Sequence, residues 1–115
     1  MLYGDALLDI ASTITAAGIP ATTEPAQLET PGALVAPGDL NFDHLDRDTY
    51  SATVELYLTT ADRGSIETLN DLQELLEVIK GLYGFTTVTP VRLPAPNHSP
   101  DGLPALLIEL AVTIS

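Results

Sequence analysis

The chain has 115 residues, 45% of them hydrophobic, which fits one compact domain with a modest core and argues against intrinsic disorder. Sixteen acids stand against four bases, a net charge of −12, and Arg47, Arg63, Lys80 and Arg92 are scattered, so nucleic-acid binding through a phosphate-reading basic patch is excluded. The absence of cysteine removes disulfides, thiolate catalysis and thiolate zinc sites, and no apolar run is long enough to span a bilayer.

The first element reads as an amphipathic helix over residues 3–17. Tyr3, Ala6, Leu7, Ile10, Ala11, Ile14 and Ala17 recur at spacings of three and four, with Asp5, Asp9 and Ser12 opposite. Gly18 is a natural residue just past the helix end, and Pro20 prevents continuation. The opening Met1 to Asp5 lacks the basic start of a secretory signal, so a cytosolic origin is expected. Residues 19–38 begin with a Pro- and Thr-rich stretch that suggests extended chain with turns, or an edge strand. They end in "GALVAPG", a short buried strand around Ala33, Leu34 and Val35.

"DLNFDHLDRDTY", residues 39–50, follows as an acidic loop. Asp39, Asp43, Asp46 and Asp48 surround His44, which raises the question of a metal or acid–base site. A calcium-binding EF-hand register fails. From Asp46, the third position is Asp48 but the fifth and sixth are Tyr50 and Ser51; from Asp43, the third is Leu45. A transition metal would need a second His or Cys at turn or helical spacing, and the other histidine, His98, is far along the chain. The preferred reading is a solvated loop, because several aspartates packed together in a core would be too costly to ionise.

"TYSATVELYLTT" (49–60) is the clearest strand. Ala52, Val54, Leu56 and Leu58 point one way; Thr53, Glu55, Tyr57 and Thr59 point the other. A turn at Asp62 to Ser65 then leads into a second helix over residues 66–82, with Ser65 as the expected N-cap. Leu69, Leu72, Leu76, Ile79 and Tyr83 make its apolar stripe, and Leu75, Val78 and Leu82 widen it to roughly half the circumference, against the ~100° needed to lie on one sheet. The surplus must touch either the first helix or another subunit. On the opposite side Glu67, Asp71, Glu74 and Glu77 form a solvated acidic face, with Glu77 and Lys80 as the opposite-sign pair. "FTTVTPVRL" (85–93) is β-rich but interrupted by Pro90, which suits an edge or a bulge. "LPALLIELAVTIS" (103–115) alternates and is the best candidate for a central strand.

Between the last two strands, "PAPNHSPDG" holds Asn97, His98, Ser99 and Asp101, yet its prolines and glycine mark a stiff connecting loop. No G-x-S-x-G elbow, H-E-x-x-H helix or glycine-rich phosphate loop is present. The sequence therefore nominates no catalytic, cofactor-binding or metal-binding residue. The expected fold is a single α+β domain over residues 1–115: a small antiparallel or mixed sheet with two helices on one face, in the order α-β-β-α-β-β.

That layout, from the N-terminal helix through "GALVAPGDL", "TYSATVELYL" and "SIETLNDLQELLEVIKGL" to the final hairpin ending in "GLPALLIELAVTIS", resembles the tail terminator proteins of long-tailed siphophages and related small neck and tail-completion proteins. The resemblance covers nearly the whole chain as element order, without a diagnostic motif. It implies a non-enzymatic virion protein that forms a hexameric ring on the tail tube, stops tube growth and meets the head–tail connector. It also implies assembly in the host cytoplasm, a final place at the head-proximal end of the tail, no cofactor and no membrane. Asp43, Asp46, Asp48, Leu75, Val78 and Leu82 become candidate ring or lumen contacts, with DNA passing through an acidic lumen without specific binding. An acidic DNA mimic that blocks a nucleic-acid-binding enzyme is the alternative from another class.

Overall fold

The computed structural model describes residues 2–41, 50–85, 87–94 and 102–114. Helix α1 spans Tyr3–Ala16 and helix α2 Ser65–Lys80; the strands are β1 Ala21–Thr22, β2 Gly32–Asn41, β3 Tyr50–Thr59, β4 Val88–Leu93 and β5 Leu103–Ile114. One mixed sheet has the order β1-β2-β3-β5-β4, with β1 parallel to β2 and every other pair antiparallel. The α+β expectation and the element order hold, with β1 and a short 3-10 turn at Pro25–Gln27 added within the Pro- and Thr-rich stretch.

The period-two pattern of β3 sorts its side chains as expected. Ala52, Val54, Leu56 and Leu58 are all buried, while Thr53, Glu55 and Tyr57 are half-buried on the other face. In register with them, Val35 and Ala33 of β2 and Ile108, Leu106 and Leu110 of β5 complete the apolar floor. Ile10, Ala11 and Ile14 of α1, with Leu72 and Ile79 of α2, join that same cluster, so both helices cover one face. The best central-strand candidate is indeed interior: β5 lies between β3 and β4, and β4 with its Pro90 is an edge.

Four local expectations need correction. Ala17 is the exposed C-cap residue and stands outside the buried stripe of α1, while Gly18 takes the left-handed φ of 104° that ends the helix. The N-cap of α2 is Gly64 rather than Ser65, and no side chain caps it. Asp62 instead accepts from the Gly64 amide at 3.1 Å, and Thr68 accepts from the Arg63 amide at 2.9 Å. Thr68 is buried, with its hydroxyl accepting from the Arg63 amide, while Leu69 is exposed.

The fourth correction is the length of β2. It runs ten residues, so Asp39 lies in a strand rather than in the acidic loop. Pairing with β3 continues to Asn41 opposite Ser51 by way of an irregularity between Pro37 and Leu40, where Gly38 and Asp39 share the single position Thr53. Two residues against one is a β-bulge, placed where Pro37 offers no N–H to the ladder. Gly38 is required there, since a Cβ would lie 2.7 Å from the Thr53 carbonyl oxygen.

Tyr3, at the start of α1, clamps this bulge. Its hydroxyl accepts from the Gly38 amide at 2.9 Å and donates to the Thr53 carbonyl. Tyr3→Phe should therefore leave a part-buried amide without its partner and cost about 1–3 kcal/mol. Unfolding in urea, together with faster hydrogen exchange at Gly38, checks this; an unchanged midpoint and unchanged exchange would show the hydroxyl to be dispensable.

Candidate functional site

The residues nominated from the sequence fall in two places. Asp43, His44, Asp46, Asp48, His98 and their neighbours in both loops lie outside the described residues. Leu75 and Val78 are half-buried and pack against the shared core cluster of sheet and helices, and Leu82, just beyond α2, is 37% exposed. The wide apolar surface of α2 is thus partly absorbed inside the fold. What remains exposed, besides Leu82, is a different set of side chains, on both helices.

Leu2 and Leu8 are 74% and 57% exposed at α1, and Ile66 and Leu69 are 71% and 54% exposed at α2. One of each pair, Leu8 and Leu69, lines a groove along one edge of the sheet. At the β1 edge, Leu8, Ala11, Ser12, Thr15 and Ala16 of α1 face Ala21, Thr22 and Thr23 across about 680 Å³, and Glu24 also lines the opening. At the β4 edge, Leu69 and Leu72 of α2 face Pro90, Val91, Pro104 and Leu106 across about 390 Å³, with Asp62 and Arg92 at the rim. The periodic pattern hides this feature. Leu69 and Leu8 look like ordinary members of apolar runs until the helix rotation is known.

Charge is distributed unequally between the two edges. Residues 2–41 contain no lysine or arginine, while Asp5, Asp9, Glu24 and Glu29 are exposed along that stretch. The described arginines sit near the N-terminal end of α2. Arg63 makes a two-pronged contact with Asp71, both at 2.9 Å, and reaches Glu67 at 3.7 Å. The Asp71 hydrogen bond, then the charges of Asp71 and Glu67, raise the Arg63 pKa further. Arg92 lies 3.6 Å from Asp62, and Lys80 pairs with Glu77 at 3.4 Å as the sequence suggested. Being solvent-exposed, these pairs contribute little to stability and orient side chains instead. The Arg63 contacts escape the sequence reading because the arginine precedes the helix, outside the span in which helical pairs form.

The sheet face away from the helices carries a second acidic feature. Glu55 and Glu109 are direct cross-strand neighbours, a like-charge arrangement that is unfavourable in isolation. The Tyr57 hydroxyl donates to Glu55 at 3.3 Å, and burial first, then the Glu55 charge and that hydrogen bond, push the tyrosine above its ordinary range. Leu28, Leu34, Leu93, Leu103 and Ala105 form a small buried cluster at one end of this face, with Tyr57 and Val91 against it.

Among the described residues, no group of three or more His, Cys, Asp or Glu is placed to hold a metal ion, and no helix is long and apolar enough to cross a membrane. Buried side-chain polar atoms among them all have hydrogen-bond partners. The described residues present two grooves at opposite edges of the sheet, with exposed carboxylates on the surface. No family model, no curated protein and no solved structure matches the chain.

Proposed function

We propose that this chain is a non-enzymatic structural protein of a siphophage tail, a tail terminator that assembles as a ring on the head-proximal end of the tail tube and receives the head–tail connector. The observation that carries the reading is the exposure of large apolar side chains on both helices, at both edges of one small sheet. Contiguous exposed apolar surface marks protein association, and Ile66 and Leu69 stand about one turn apart on α2. Net charge of −12 per copy supports the second half of the reading, because a ring of such subunits repels DNA phosphates and lets DNA pass without sticking. Asp43, Asp46 and Asp48 are assigned to that electrostatic role, acting over a Debye length of ~8 Å at physiological salt.

Imaging tests it directly. Purified chain added to tail tubes that lack a terminator should appear as a ring at one end only and should halt further tube growth. Tubes that lengthen at the same rate with no density at either end would remove the proposal.

A further inference from the structure

We propose that the outer edge of β5 beyond Ile108 is a strand-docking site for a different, basic protein, which adds an extended segment carrying Lys or Arg beside Glu109. The inference goes beyond the terminator reading and does not depend on it. It names an edge and the chemistry of what pairs there, not a place in a particle.

Register sets which backbone groups face which neighbour. In an antiparallel ladder one residue turns its N–H and C=O to one side and the next residue turns them to the other. The Thr59 hydroxyl donates to the Pro104 carbonyl at 3.0 Å, which aims the even-numbered residues of β5 at β3 and the odd-numbered ones at β4. The Ala33 amide, which donates outward to the Pro20 carbonyl, gives the same alternation when followed through β2 and β3. β4 pairs only from Leu93 opposite Leu103 to Val88 opposite Ile108, while β5 runs on to Ile114. Past that point Ala111 and Thr113 turn their N–H and C=O groups outward, with no strand beside them among the described residues.

The other outer edges are guarded and this one is not. Opposite Leu106, Pro90 falls at an outward position of β4, where an incoming strand would find no donor. β1 is only two residues long. Past it, the outward positions of β2 include Pro37, and the bulge gives its Gly38 amide to Tyr3. Residues 109–114 of β5 contain neither proline nor bulge. Charge then selects the occupant. Glu109 is exposed and stands directly opposite Glu55 on the sheet face away from the helices. The described bases are engaged elsewhere: Arg63 with Asp71 and Glu67, Lys80 with Glu77, Arg92 with Asp62. A Lys or Arg on an added strand beside Glu109 supplies the missing counter-charge, whereas a second copy brings its own Glu109 and a net charge of −12.

The probe is the synthetic peptide Thr-Lys-Val-Lys-Val-Lys-Val-Thr, capped at both ends, whose lysines share one face when extended. Added to the folded chain at about ten times its titration midpoint, it should slow amide exchange at Ala111 and Thr113, read by NMR, by about tenfold. The same peptide with glutamate for lysine should leave both amides unchanged. So should the lysine peptide N-methylated along its backbone, which keeps its charge and loses its ladder donors. Glu109→Lys, at an exposed position that tolerates substitution, should abolish the preference for the lysine peptide over the glutamate one. Unchanged exchange with the lysine peptide, equal protection by its N-methylated form, or a preference that Glu109→Lys leaves unaltered overturns the proposal. Protection that needs no peptide and grows with protein concentration also overturns it, by making the partner a second copy. The assay uses the isolated chain, so failure to bind tail tubes would leave its outcome untouched and count only against the terminator reading.

Discussion

Leu56→Ala should destabilise the protein by about 2–5 kcal/mol. Leu56 is fully buried on β3, the middle strand, with Val35 of β2 and Ile108 of β5 as its direct cross-strand neighbours, both also fully buried. Ile14 of α1 and Ile79 of α2 belong to the same buried cluster. Truncating the side chain to a methyl opens a cavity that packed strands on both sides cannot collapse to fill, so the cavity term adds to the lost transfer energy. Domains of this size are stable by only about 5–15 kcal/mol in total, so the variant should stand close to the threshold of folding. Guanidinium unfolding measures it: the midpoint should fall sharply at unchanged slope. Leu69→Ala, at an exposed leucine on α2, is the matched control and should stay within about ±0.5 kcal/mol. Equal losses at the two positions would mean that the helices do not pack on this face of the sheet.

Gly32→Ala should be the most damaging one-carbon addition. Gly32 is buried at the start of β2 opposite Thr59, where a Cβ would lie 2.2 Å from the Glu29 carbonyl oxygen and 3.0 Å from that of Pro20. Both obstacles are backbone atoms and cannot rotate away. The Pro20 carbonyl also accepts from the Ala33 amide at 2.9 Å, so relief of the clash would pull apart the join between β1 and β2. Overpacking of this kind costs roughly 1–3 kcal/mol and more where backbone must move. Gly4→Ala makes the opposite case: nothing lies within 4 Å of its added Cβ, and the helical position should gain about 0.5–1 kcal/mol. Thermal unfolding of the pair should therefore shift in opposite directions. A Gly32→Ala protein as stable as its parent, with normal exchange at Ala33, would show that the corner is loose.

The element order expected from the sequence is the order of the fold, with β1 and a short 3-10 turn added. The exposed apolar side chains are another matter. The width of the apolar surface of α2 nominates Leu75, Val78 and Leu82 as contacts, yet Leu75 and Val78 are partly taken up by the core, and Leu69, a member of the expected core stripe, is exposed. A heptad-like stripe tells which side of a helix is apolar, but a modest rotation about the helix axis decides which leucines stay wet. Here that rotation comes with Thr68 turned inward, accepting from the Arg63 amide at the turn before α2.

Local periodicity was enough wherever one interaction dominates. The alternation of β3 and β5 and the three-four spacing of α1 predicted their buried faces, because burial of apolar surface outweighs any other demand on those residues. Composition was likewise sufficient to rule out a basic nucleic-acid patch and cysteine chemistry. Tertiary structure alone decided the parallel pairing of β1, the bulge at Gly38 held by Tyr3 from 35 residues away, and the placing of two grooves at opposite edges. Each of these depends on residues distant in the chain meeting in space, and such meetings are set by strand order and register, which no short window of sequence contains.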